Sequence, residues 1–147
     1  MKEFADKLVE CVEKHPEEIS KRFCKAVRTN PRTPSYHSMS PDACFLHAMD
    51  FYKNLERIYF SEPLREACDS FFDQYAGDRH KEGIPLSEAA YAICMMRRHI
   101  WLYADSQALF ITPIDYHRAI ATINKTILIF DHGLHCMIQK YVELSKK

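Results

Sequence analysis

Glycine is scarce in this chain: three residues in 147, against nine Phe, eight Tyr and one Trp. So few permissive backbone positions argue against a Gly-rich phosphate loop and against an all-β fold built on many tight turns. Excess charge is missing as well, because twenty Lys and Arg balance twenty Asp and Glu. That removes the general attraction on which nucleic-acid and anionic-lipid binders rely, and neither is expected as a partner. The longest apolar run, Ala89 to Met96, is eight residues, far short of the roughly 20 that a membrane helix needs. The six cysteines, at 11, 24, 44, 68, 94 and 136, include no C-x-x-C pair and no zinc-finger spacing. Most stand among apolar residues, where free Cys behaves as a small hydrophobe. The amino terminus, Met1-Lys-Glu-Phe-Ala-Asp-Lys, is charged with no apolar stretch behind it. The expectation is therefore a cytoplasmic protein with reduced thiols.

What is present suits one soluble domain. Apolar residues make up 47% and charged residues 27%, and a chain of this length buries enough surface to fold without staples. The periodicity is helical almost throughout. Phe4, Leu8, Cys11 and Val12 repeat at helical spacing, and Pro16 suits the first position of a second helix carrying Ile19, Phe23, Ala26 and Val27 inward. Residues 30–40, with two prolines and no period, read as the one long loop. Ser40-Pro41 caps a third helix reaching about Phe60, and Ser61-Glu-Pro repeats the signal for a fourth reaching about His80. Pro85 to Ser87 opens a fifth helix, expected to end near Leu109, and Thr112-Pro113 opens a sixth that runs almost to the end. The expectation is an all-α single domain, a compact bundle of five to six helices, with the last two adjacent and antiparallel.

Two apolar stripes suggest the core. In the fifth helix Leu86, Ala90, Ile93, Arg97, Ile100 and Ala104 share one arc, which places Arg97 in the middle of an apolar face. A desolvated guanidinium needs a carboxylate, and Asp131 on the sixth helix is the natural partner. The sixth helix carries Tyr116, Ile120, Ile123, Ile127, Phe130, Leu134, Met137 and Tyr141 in one stripe. Met95, Met96, Trp101 and Tyr103 read either as the lining of a small apolar pocket or as plain core. Glu82 and Glu88 read as surface groups near helix ends.

Catalytic signals are weak, and no enzyme is expected. No G-x-S-x-G elbow and no H-E-x-x-H pair occurs, and a Cys in an apolar stripe is usually inert. The densest candidate metal cluster is Asp131-His132-Gly-Leu-His135-Cys136, with His132 and His135 one turn apart. A third ligand would have to come from elsewhere, such as His47 or His99. A haem- or metal-binding domain is the alternative function this cluster keeps open, although no cofactor is expected.

The run Gly83-Ile-Pro-Leu-Ser-Glu-Ala-Ala-Tyr-Ala-Ile-Cys-Met-Met-Arg-Arg-His-Ile-Trp101 resembles the central segment of the RsbRD amino-terminal-domain family. The closing Ile123-Asn-Lys-Thr-Ile-Leu-Ile-Phe-Asp-His-Gly-Leu-His-Cys-Met-Ile-Gln-Lys-Tyr141 is similar to the family's last helix, and the loop with Pro34 and Tyr36 also fits. The resemblance implies an all-α, globin-like sensor domain without haem, the input part of stress-response regulators and sensor kinases. It would make Arg97, Trp101 and Asp131 core features. No output domain follows Tyr141, so the implied action is association with a separate protein partner or as a homodimer, through the surface of the last two helices.

Overall fold

The computed structural model describes residues 6–107 and 112–146. They form six helices: α1 (Asp6–Lys14), α2 (Pro16–Val27), α3 (Pro41–Tyr59), α4 (Leu64–Lys81), α5 (Leu86–Ser106) and α6 (Pro113–Ser145). One 3-10 turn, Pro34–Tyr36, lies in the loop between α2 and α3, and the described residues contain no strand. The fold is a compact all-α bundle.

Helix starts follow local chemistry. Pro16 opens α2, where its missing N–H costs nothing. The Ser40 hydroxyl accepts the Ala43 N–H at 3.1 Å ahead of Pro41. Thr112 and Asp115 form a reciprocal capping box for α6, at 3.1 and 3.2 Å. The start of α4 departs from expectation. Ser61 donates its hydroxyl back to the Arg57 carbonyl at 2.7 Å, so it closes α3, and α4 begins only after Pro63. Helix α5 ends at Ser106, and the expected end near Leu109 lies outside the described residues.

An aromatic cluster holds the centre. Phe51 meets Tyr52, Phe71, Phe72, Tyr75 and Phe130 with ring centroids 5.7–6.0 Å apart, mostly edge to face. The fully buried Tyr52 donates its hydroxyl to the Met96 carbonyl at 2.8 Å. Helix α6 packs chiefly on α4, and the two run in the same direction. Cys68 Sγ reaches the Ile129 carbonyl at 3.4 Å, and farther along Asp73 meets Lys140 at 3.6 Å. Helix α5 lies antiparallel to α6, with Ile84 at Tyr141 and Arg97 at Phe130.

Both stripes sit differently from their expected positions. The buried side of α5 runs through Glu88, Ala89, Ala92, Ile93, Met95, Met96, Ile100, Tyr103 and Ala104, roughly 80° round the helix from the expected arc. Ala89 and Ala92 take the inward place that the expected arc gave to Leu86 and Ala90. Arg97 is consequently at its edge. The α6 stripe repeats every 3.5 residues on a helix of 3.6, so it drifts by about 20° per heptad. Over the length of α6 that drift carries the stripe from solvent into the core. Tyr116, Ile120 and Ile127 are exposed, Ile123 and Leu134 are half-buried, and Phe130, Met137 and Tyr141 are buried. The inner row of the first half is Ala119, Thr122, Thr126 and Ile129. Thr126 tolerates burial because its hydroxyl donates to the Thr122 carbonyl at 2.8 Å.

Candidate functional site

The exposed first half of the α6 stripe, with apolar residues beside that row, makes a solvent-facing apolar surface on the outside of the bundle. Ile114, Tyr116, Ile120, Ile127, Leu128, Ile138 and Val142 are each 40–62% exposed. They are seven of the ten exposed large apolar side chains described, so the exposure is concentrated on one element rather than scattered. Exposed Asn124, Asp131 and His135 interrupt the stripe at its middle. The flanking lysines are turned inward: Lys125 Nζ lies 4.4 Å above the centre of the Tyr59 ring, and Lys140 pairs with Asp73. A shallow groove of about 430 Å³ lies at the start of this face, beside Pro113, Ile114, His117 and Ala121. Another of about 510 Å³ lies at its end, beside Ile84, Leu86, Tyr141, Val142 and Ser145.

The other sequence candidates are dispersed. Arg97 and Asp131 form no ion pair. Asp131 is exposed, and the half-buried Arg97 places its guanidinium carbon 5.8 Å above the centre of the Phe130 ring. The rotation of α5 is the reason, since it brings Arg97 over an aromatic face and not to the outer side of α6. Met95 and Met96 are core residues, each 1% exposed, Tyr103 is buried, and Trp101 packs half-buried against the same cluster. These four therefore read as core. His132 is half-buried and His135 exposed, and no group of three His, Cys, Asp or Glu able to hold a metal occurs among the described residues. His99 is engaged locally, its Nδ1 2.8 Å from the Met95 carbonyl. All six cysteines are free thiols. Burial pushes the Cys11 thiol up to about 11 and that of Cys68 up to about 12, which makes them poor nucleophiles.

Two polar features were not anticipated. The buried arginine is Arg79 on α4, whose Nη2 donates to Glu82 at 2.9 Å. Its signal was present, because Cys68, Phe72, Tyr75, Ala76 and Arg79 form one helical row that all proves buried. Glu88, expected at the surface, is buried too. Its carboxylate accepts the backbone N–H of Ser35 at 2.6 Å and the Ser35 hydroxyl at 2.7 Å. The loop at 30–40 is thus lashed to α5, and Tyr36 is tucked beneath it.

No helix among the described residues is long and apolar enough to cross a membrane. Comparison of the chain with protein-family models, with curated proteins and with solved structures found no match.

Proposed function

We infer that the protein is a non-enzymatic interaction module, a signalling input domain of the kind the RsbRD resemblance implies, and that it works by association through the outer face of α6. The observation carrying this reading is the run of seven exposed large apolar side chains along one helix. Exposed apolar side chains are ordinarily scattered singly, whereas seven along one helix, broken only at Asn124, Asp131 and His135, make a face of the kind that marks an interaction site. The occupant that fits is a second copy of this chain. A face along a 33-residue helix, about 50 Å long, is matched in length and character by itself under a two-fold axis. An antiparallel crossing near Ile127 and Leu128 keeps the two Asp131 carboxylates apart, whereas a parallel one would stack them.

Light scattering over a concentration series tests this, with Ile120→Asp and Ile127→Asp as variants. The expected result is a mass that rises toward a dimer for the natural chain and stays monomeric for both variants, with unchanged helicity. A natural chain that remains monomeric at every concentration would overturn the reading.

A further inference from the structure

Helices α2 and α3 pack on each other, and each brings a cysteine to the core between them. Cys24 lies in the buried row of α2 with Ile19, Phe23 and Val27, and Cys44 lies in the first turn of α3, behind the Ser40 cap. The Cys24 S–H is hydrogen-bonded to the Cys44 sulfur, so the two sulfurs meet across the helix pair. Cys68 and Cys136, the other neighbouring thiols, are engaged differently. Cys68 donates to the Ile129 carbonyl at 3.4 Å and Cys136 to the Asp69 carbonyl at 3.5 Å, so each spends its proton on backbone.

Electrostatics single out Cys44. The bond from Cys24, then the charges of Arg28 and Arg79, hold its thiol below the ordinary value although burial opposes them. The same bond, together with burial, pushes Cys24 up, and burial raises Cys11, Cys68 and Cys136. Arg28 is fixed in place for this role, because its Nε donates to the Met39 carbonyl at 3.0 Å just ahead of α3. Cys44 is thus the sulfur that ionises, and Cys24 is the one that keeps its proton. A thiolate beside arginine at a helix start is the reactive form of cysteine.

We propose that Cys24 and Cys44 form a redox-active dithiol, oxidised to a disulfide by hydrogen peroxide. Cys44 is 1% and Cys24 7% exposed, which favours an oxidant close to water in size over a bulky disulfide. The Cys44 thiolate attacks one peroxide oxygen: an S–O bond forms, the O–O bond breaks, and the departing hydroxide takes the Cys24 proton to become water. The Cys24 thiolate so formed attacks the Cys44 sulfenic acid, forming S–S and breaking S–O. The second hydroxide takes up the proton that Cys44 released on ionising. Each sulfur loses one electron, each peroxide oxygen gains one, and two waters leave. The bond would clasp α2 to α3 and close the chain from 24 to 44, with the 30–40 loop inside it.

The test treats the folded full chain with hydrogen peroxide, alkylates the remaining thiols and maps the tryptic peptides. Trypsin releases Cys24 in Phe23–Lys25 and Cys44 in Thr33–Lys53. The expected product is these two peptides joined, lighter by two hydrogens than the free pair and separated again by dithiothreitol. Closure should raise the melting temperature by roughly 5–10 °C. Cys24→Ser removes the resolving sulfur, so a dimedone trap should then capture sulfenic acid at Cys44. Cys44→Ser should leave Cys24 unoxidised. Thiols at 24 and 44 that stay fully open to alkylation after peroxide would overturn the proposal, as would a link that forms only in urea. Should either variant fail to fold, the peptide map of the natural chain still decides.

Discussion

Gly133 on α6 lies directly against the ring of Phe72 on α4: a Cβ added to it would come within 2.5 Å of ring atoms Cε2 and Cζ. The ring has no room to retreat, since Phe72 is wholly buried and packs on Phe71 and Phe51 with centroids 5.2 and 6.0 Å away. The most extensive helix pairing in the bundle therefore depends at this point on a missing side chain. Ala in place of Gly normally stabilises a helix interior by about 1 kcal/mol, but overpacking a tight core costs about 1–3 kcal/mol. Gly133→Ala should consequently lower stability, by up to ~2 kcal/mol, in urea unfolding. Gly77→Ala, where a Cβ meets nothing within 4 Å, should raise it. A Gly133→Ala midpoint at or above that of the natural chain would show that the ring gives way.

The bond pair from Ser35 to Glu88 holds a loop to a helix fifty-three residues away in sequence. Glu88→Ala removes the acceptor of a part-buried backbone N–H and a part-buried hydroxyl, at a cost of about 1 kcal/mol. Hydrogen exchange at Ser35 and Tyr36 should then rise well above that of α3, because the loop loses its anchor before the bundle opens. Unchanged protection at these two amides would mean that Arg28 and Thr33 suffice to hold the loop.

The helix boundaries were legible because caps are local: Pro16, Ser40-Pro41 and Thr112-Pro113 each act within one turn. The facing of α5 and α6 was not, because rotation about a helix axis is set by neighbours. Alanines at 89 and 92 and threonines at 122 and 126 form buried rows that counting large aliphatics passes over. The same limit governs the candidate surface. The α6 heptad stripe is plain in the sequence, but only the packing of its second half on α4 and α5 shows which end remains outside. Glu88 was missed because its partner, Ser35, lies on a loop fifty-three residues away, whereas Arg79 and its partners Tyr75 and Glu82 lie within one stretch and were open to an i, i+3, i+4 count along α4.

His47 on α3 makes stability depend on pH. Burial, and then the nearby Arg79 charge, hold its imidazole below the ordinary 6.5, although Glu82, Asp78 and Asp50 pull the other way. The unfolded chain thus binds the proton more readily than the folded one. This contribution is complete above about pH 6.5, where both states are neutral, and is lost as pH falls below that value toward the folded pKa. Unfolding free energy measured between pH 7.5 and 5 should therefore decline in the natural chain. His47→Gln should decline less over the same range, and parallel curves would show that other groups carry the acid sensitivity.

Arg97 rests on the face of Phe130 and makes no bond to Asp131, which separates two outcomes that an ion pair would join. A buried pair broken from either side costs about 3–5 kcal/mol, whereas an exposed carboxylate without a partner contributes almost nothing. Asp131→Ala should accordingly change stability by less than ~0.5 kcal/mol. Arg97→Ala removes both the cation over the ring and the apolar stem that covers it, for a loss of about 1–2 kcal/mol. Arg97→Met keeps the stem and should recover about half of that loss. The two sites share no contact, so the Arg97→Ala, Asp131→Ala double variant should equal the sum of its parts. A coupling above 1 kcal/mol in that cycle would place the guanidinium on Asp131 in solution and remove it from the ring.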